Sequence, residues 1–396
     1  MKYFVNEISK DGVIAVDDTI LVKGTPATAG SKMLENFTPL FSAEAVERLE
    51  KSGYGIKGKT NVGEFGLDLL GETSFFGAVK SGENLVSAGV EVVKSGEVKA
   101  ALSVDLNGSP RRAAAVSGVD FIKPTYGTVS RYGIIACACS GEQIGVTAKN
   151  AEAAAEILSV IAGHDSKDGT SLPEEKYEYS LDADIKGKKI ALVKDLYDRA
   201  SDEVKAKIDA YKASLEKLGA EVKEVSLGIV KEAQTAWQIL MSAETTNNLS
   251  RFDGVKYGYR APEYKNIDEL YVKSRTDAFN FLTKATILYG SDVLAKGKYE
   301  ACYDKSLRLR RVVTEKVKEV LASFDALLAP ASSKMNYQEY DILESFEKVF
   351  EESAFTAIAS ITGLPAMVTG GVQLVADAFG ESTLLSIADT VEKEEA

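Results

Sequence analysis

The chain has 396 residues, enough for one large or two ordinary domains with a substantial core. A formal net charge of -12 repels phosphate backbones and argues against direct nucleic-acid binding by this chain alone. With no apolar run near the roughly 18 residues of a membrane span, no signal-peptide layout at residues 1–7, and three cysteines without zinc-ligand spacing, a cytoplasmic protein is expected; the single histidine excludes a histidine-rich metal site, and no metal or cofactor is expected.

The first 125 residues mix short apolar runs with glycine. Gly12-Val13-Ile14-Ala15-Val16, Tyr54-Gly55-Ile56 and Val98-Lys99-Ala100-Ala101-Leu102-Ser103-Val104 predict buried strands of an α/β sheet. A helix is predicted over 42–51, with Ser42 as its cap, Glu44 at the positive end of its dipole and Gly53 near its stop. Ala45 in its first turn leaves it without a capping box. Val86, Val90, Val92 and Val93 are placed to build core. Asn150 is predicted to cap an Ala-rich helix running to Gly163. His164, the single histidine, then reads as a cation at that helix's C-terminus.

From Lys188 the pattern is a βαβ-like unit. Strand Lys189-Ile190-Ala191-Leu192-Val193 precedes a helix capped by Ser201, with Val204, Ile208, Tyr211 and Leu215 on one face. Gly219 ends it before Glu221-Val222-Lys223-Glu224-Val225. Residues 228–325 are helix-dominated, and Asp325-Ala326-Leu327-Leu328-Ala329-Pro330 returns to a strand. From Ser345 a helix, a Gly363-Leu364-Pro365 turn, apolar strands and a last helix lead to an acidic end (Glu392, Glu394, Glu395) expected in solvent.

The segment most suggestive of chemistry is Asn107-Gly108-Ser109-Pro110-Arg111. A serine beside glycine at a helix start suits a nucleophile. Serine followed by proline is equally a helix-start signature, so Ser109 also reads as a plain N-cap. The lone histidine leaves His164 as the only residue a Ser-His-Asp triad could use.

Lys123-Pro124-Thr125-Tyr126-Gly127-Thr128-Val129-Ser130-Arg131-Tyr132-Gly133, with Gln143-Ile144-Gly145 and Ala162-Gly163-His164-Asp165, resembles the amidase signature family. Arg251-Phe252-Asp253-Gly254-Val255-Lys256-Tyr257-Gly258-Tyr259-Arg260, and Tyr299-Glu300-Ala301-Cys302-Tyr303 leading to Arg310, are similar to its branch of glutamyl-tRNA(Gln) amidotransferase A subunits. The resemblance covers nearly the whole chain. It implies one α/β domain over 1–396, a twisted mixed β-sheet surrounded by helices, without the family's N-terminal helical region and with shortened loops around the site. It also implies a Ser-cisSer-Lys triad that releases ammonia from glutamine, and B- and C-like partner subunits that use it to amidate a tRNA.

Position by position, the implied triad is incomplete. The family's Asp-Thr-Gly-Gly-Ser-Ile-Arg reads Asp105-Leu106-Asn107-Gly108-Ser109-Pro110-Arg111, which retains the nucleophile position Ser109, with Gly108 and Arg111 beside it as substrate-binding positions. Asn107 in place of glycine puts the oxyanion hole in doubt. The family's lysine position holds Asp17, a far weaker base at an ordinary carboxylate pKa, and Asp17-Asp18 also reads as a strand-end turn. An ungapped count puts Leu85 at the bridging-serine position; a two-residue slip would offer Ser87. Tyr259 and Arg310 match substrate-holding positions, Arg310 as a bidentate carboxylate partner or alternatively a helix-surface cation, while the family's acidic partner aligns with Ser353. These departures predict a catalytically impaired scaffold that binds a partner or a small amide or amino-acid ligand. The alternatives are an active hydrolase rebuilt around Ser109, or a subunit whose complex supplies the chemistry.

Overall fold

Strands of this chain alternate their apolar residues between two faces, and each face is covered by helices. A computed structural model describes residues 3–395. The strands are β1 (Phe4–Glu7), β2 (Ile14–Asp17), β3 (Ile56–Thr60), β4 (Lys80–Ser81), β5 (Asn84–Leu85), β6 (Ala100–Asp105), β7 (Asp120–Lys123), β8 (Gln143–Ala148), β9 (Lys189–Val193), β10 (Glu221–Val225), β11 (Ala326–Ala329), β12 (Ala366–Thr369) and β13 (Val372–Val375). Eleven of them form one sheet in the order β1-β3-β2-β6-β8-β7-β12-β13-β11-β9-β10, and β4 and β5 make a separate hairpin. The sheet is mixed: β3, β2 and β6 run parallel, as do β11, β9 and β10, and an antiparallel block joins the two groups.

The helices are α1 (Glu44–Lys51), α2 (Ala88–Lys94), α3 (Ser109–Ser117), α4 (Ala151–Ile161), α5 (Lys194–Tyr197), α6 (Asp202–Lys217), α7 (Val230–Leu249), α8 (Ile267–Ala278), α9 (Phe281–Val293), α10 (Lys305–Leu321), α11 (Ser345–Ser353), α12 (Ala357–Thr362) and α13 (Glu381–Glu395). Successive β9 residues go to opposite sides: Ile190 and Leu192 join the core under α1, α4, α6 and α13, while Ala191 and Val193 join the core under α3, α7, α10 and α12. That period of two, with both faces buried, makes a three-layer α/β domain. None of its helices, among the described residues, is long and apolar enough to cross a membrane.

The β9–α6–β10 unit and the strand at β11 lie where the sequence puts them, and Ser201 and Asn150 accept the expected capping hydrogen bonds from Val204 and Ala153. Other caps differ. Ala43, not Ser42, is the N-cap of α1, because the Ser42 hydroxyl is taken by the Lys23 N–H. His164 does not cap α4: its ring nitrogen meets the Leu172 carbonyl, and Arg48 donates to the Ile161 and His164 carbonyls instead. In the acidic tail, Glu392 is only half exposed and binds the Ala151 N–H and the Thr369 hydroxyl.

Candidate active site

Because β2, β3 and β6 are parallel neighbours, their carboxyl ends gather Asp17, Thr60 and Asp105 at one rim of the sheet. Crevices at such strand ends are where open α/β sheets bind ligands. A narrow cavity of about 30 Å³ opens there, room for about one water, and Asp17, Thr19, Ser87, Ser103 and Ser109 all line it, with Asp68, Cys137 and Glu142. Among the described residues, no lysine lines it.

Ser109 is the first residue of α3, and the N-cap is Gly108, so the serine is not the cap. Gly108 sits at φ +81°, and a Cβ there would fall 2.3 Å from the Thr356 side chain, so both backbone and space demand glycine. Pro110 has no N–H to offer at this helix start. Asn107 is fully buried; its Oδ1 accepts from Trp237 Nε1 at 3.1 Å, while its Nδ2 has no partner among the described residues.

Arg111, expected to touch substrate, is committed elsewhere. Its Nε and Nη2 bind both oxygens of Asp105 (2.7 and 3.0 Å), Nη1 donates to Thr356 O and Gln373 Oε1, and Nη2 also donates to Ser360 Oγ. That occupies all five guanidinium donors, leaving none for a ligand. Arg111 instead ties the β6–α3 turn to α12 and β13.

Asp17 ends β2 with its carboxyl buried. Thr60 Oγ1 donates to Oδ1 at 3.0 Å and the Val104 N–H reaches Oδ2 at 3.3 Å. Burial outweighs these bonds and pushes the carboxyl up to about 7. Gly89, near the start of α2, leaves space beside it: a Cβ there would lie 3.5 Å from both Asp17 Oδ1 and Ser103 Oγ. The neighbouring Lys59 is fully buried, its ammonium given to the Asp18 and Ile20 carbonyls and 3.5 Å from the Asp18 carboxylate.

Leu85 is not at this cavity. It lies in the β4–β5 hairpin, buried, with its N–H bonded to the Tyr337 carbonyl at 2.7 Å. Ser87, two residues on, does line the cavity and makes no cap bond to α2. The other two carboxyls are loop clasps. Asp68 accepts from the N–H groups of Gly71 and Thr73, and Glu142 from those of Cys137 and Ala138 and from Arg131.

Tyr259 lines a second cavity of about 720 Å³ that shares the lining residue Ile135 with the first. Arg310 lines neither: it lies on α10 and donates to the Ser140 carbonyl at 2.9 Å. Sequence reasoning missed Ser103, Thr60 and Thr19. Ser103 had a signal, a hydroxyl inside an otherwise apolar strand; Thr60 ends β3 and Thr19 stands in the turn after β2, and the partners of both are distant in sequence.

A family model described as Amidase matches residues 12–385. The chain belongs to the amidase family. It is 39% identical over 400 residues to the glutamyl-tRNA(Gln) amidotransferase A subunit of Agathobacter rectalis, an alignment covering 96% of this chain and 80% of that one. It is 38% identical to the same-named protein of Thiobacillus denitrificans, over 95% of this chain and 81% of the other. Among solved structures, the glutamyl-tRNA(Gln) amidotransferase A subunit of Thermotoga maritima superposes with a TM-score of 0.82 at 27% identity, covering 99% of this chain and 87% of that one. A bacterial aryl acylamidase shares the fold, with a TM-score of 0.81 at 20% identity, over 96% of this chain and 81% of the other.

Proposed function

We propose that this amidase-family protein is of the amidotransferase A-subunit type and has lost the amide-hydrolysing proton relay, acting in the cytoplasm as a ligand- and partner-binding scaffold. One observation carries the reading: the cavity that holds Ser109 contains the buried Asp17 carboxyl and, among the described residues, no lysine. The buried lysine beside it, Lys59, already gives its ammonium to two carbonyls and Asp18. A serine needs a base to accept its proton, and a lysine-driven relay has nothing here to start it. Leu85, withdrawn into the core, supports the same reading.

The test is ammonia release from glutamine, asparagine and simple amides by purified protein, run beside Ser109→Ala. The scaffold reading expects the two proteins to give the same background; release that disappears in the variant would overturn it. Co-expression with B- and C-like subunits should give co-purification, and elution of the chain alone would remove the partner half of the proposal.

A second reading is favoured by one observation. A carboxyl pushed up to about 7 is matched to proton transfer at neutral pH, unlike an ordinary aspartate. Asp17 would then serve as base for a site rebuilt around Ser109. Turnover abolished by both Asp17→Asn and Ser109→Ala, and rising with pH through 7, would establish it.

A further inference from the structure

The larger cavity has a chemistry of its own. Its walls are apolar, built from Leu21, Met33, Leu34, Phe37, Ile134 and Phe252, and the segment 251–259 roofs it. This loop is pinned over the one-turn helix Lys32–Leu34: the Tyr259 N–H donates to the Met33 carbonyl at 2.7 Å, and a Cβ on Gly258 would fall 2.4 Å from the Met33 sulfur. The roof is therefore set rather than loose.

Charge at the cavity runs against the rest of the molecule. The chain carries 59 carboxylates and a net charge of -12, yet among the described residues no Asp or Glu lines this cavity, while Arg251 and Lys256 do. The roof's own acid, Asp253, is turned away to accept the N–H groups of Val255 and Lys256 at 2.8 and 2.9 Å. Arg251 is held by Asn248 through Nε and Nη2, which leaves Nη1 without a partner among the described residues. Both cations are exposed, so they stand at the mouth, with the apolar walls behind them.

We infer that this cavity binds a small carboxylate with an apolar body, the hydrocarbon or aromatic part inside and the anion at Arg251 and Lys256. A pocket of about 720 Å³ with apolar walls and a few polar anchors suits a ligand of that size. The inference rests on the proposed ligand-binding role and names its ligand class. Glutamine, with only two methylenes between its polar ends, gains little from these walls.

The probe is 4-phenylbutyrate, with 4-phenylbutanol as its uncharged analogue, titrated calorimetrically into the full chain. The expected result is saturable binding of the carboxylate that weakens with added salt, as contacts to exposed cations do. Lys256→Glu, at an exposed position outside the core, should weaken it about tenfold, and Arg251→Gln should weaken it too, with 4-phenylbutanol affinity unchanged. Ala136→Trp, which fills the cavity from one wall, should abolish binding of both compounds. Equal affinity for the acid and the alcohol, or binding indifferent to Lys256→Glu, overturns the inference, as does no saturable binding at all. The ammonia assay separates the two claims: glutamine hydrolysis would sink the scaffold reading and leave charge-dependent carboxylate binding standing.

Discussion

Asp17 titrates where the protein is handled, and this has a consequence for stability. In the unfolded chain its carboxyl loses its proton near 3.8; in the folded chain burial holds the proton up to about 7. The folded state therefore binds more protons between those values, and stability falls as pH rises from about 4 to about 7. At 1.36 kcal/mol per unit the ceiling for Asp17 is roughly 4 kcal/mol. Glu64, also pushed up to about 7 by burial, adds a slope of the same sign. Lys123 works the other way and in another window: burial brings its ammonium down to about 7, so stability rises from about 7 toward 10.5. Urea unfolding from pH 4 to 9 should show a minimum near neutrality, and Asp17→Asn should flatten the acid limb. An acid limb of unchanged slope in the variant would show that Asp17 is ionised throughout. Ser109→Ala is expected to shift stability by less than about 0.5 kcal/mol, because Ser109 is not the helix cap whose loss costs about 1 kcal/mol.

Arg111 shows how one side chain binds elements together. Buried and bonded to Asp105, Thr356, Ser360 and Gln373, it links α3 to β6, α12 and β13. Arg111→Met should cost about 3–5 kcal/mol, since it strands the buried Asp105 carboxylate, and equilibrium unfolding measures it. A loss under 1 kcal/mol would mean that Asp105 finds another partner. The sequence could place Arg111 at a functional motif but not see its partners, because Thr356 and Gln373 are more than 240 residues away. The same limit explains the caps. Ser201 and Asn150 cap through local bonds and were legible; Ser42 and His164 were not, because Lys23 and Arg48 reach in from other elements. Strand β9 was readable to the residue because its apolar residues are buried on both faces, whereas β10, an edge strand with only Val222 and Val225 half-buried, was readable from its place after the Gly219 stop. The site was only half legible: Ser109 and Asp17 do share a cavity, while Tyr259 opens on its neighbour and Leu85 on the core.

At the scale of the molecule, the surroundings of Asp17 and Leu85 bear on the proposed loss of the relay together. Exchanging Asp17 for lysine would set an ammonium in a water-sized cavity beside the ammonium of Lys59, with Asp68 and Glu142 already committed to backbone N–H groups. Exchanging Leu85 for serine would bury a hydroxyl in a hairpin whose backbone is tied to Tyr337, away from the cavity wall that Ser87 and Ser103 occupy. Neither change moves the hairpin. Asp17→Lys and the pair Asp17→Lys/Leu85→Ser should therefore both lack ammonia release from glutamine and melt at lower temperature than the parent, the pair losing the further few kcal/mol of an unpaired buried hydroxyl and a truncated core leucine. The measurement is ammonia release alongside thermal unfolding of the three proteins. Ammonia release by the pair above that of the parent would mean that the β4–β5 hairpin can still present residue 85 to Ser109.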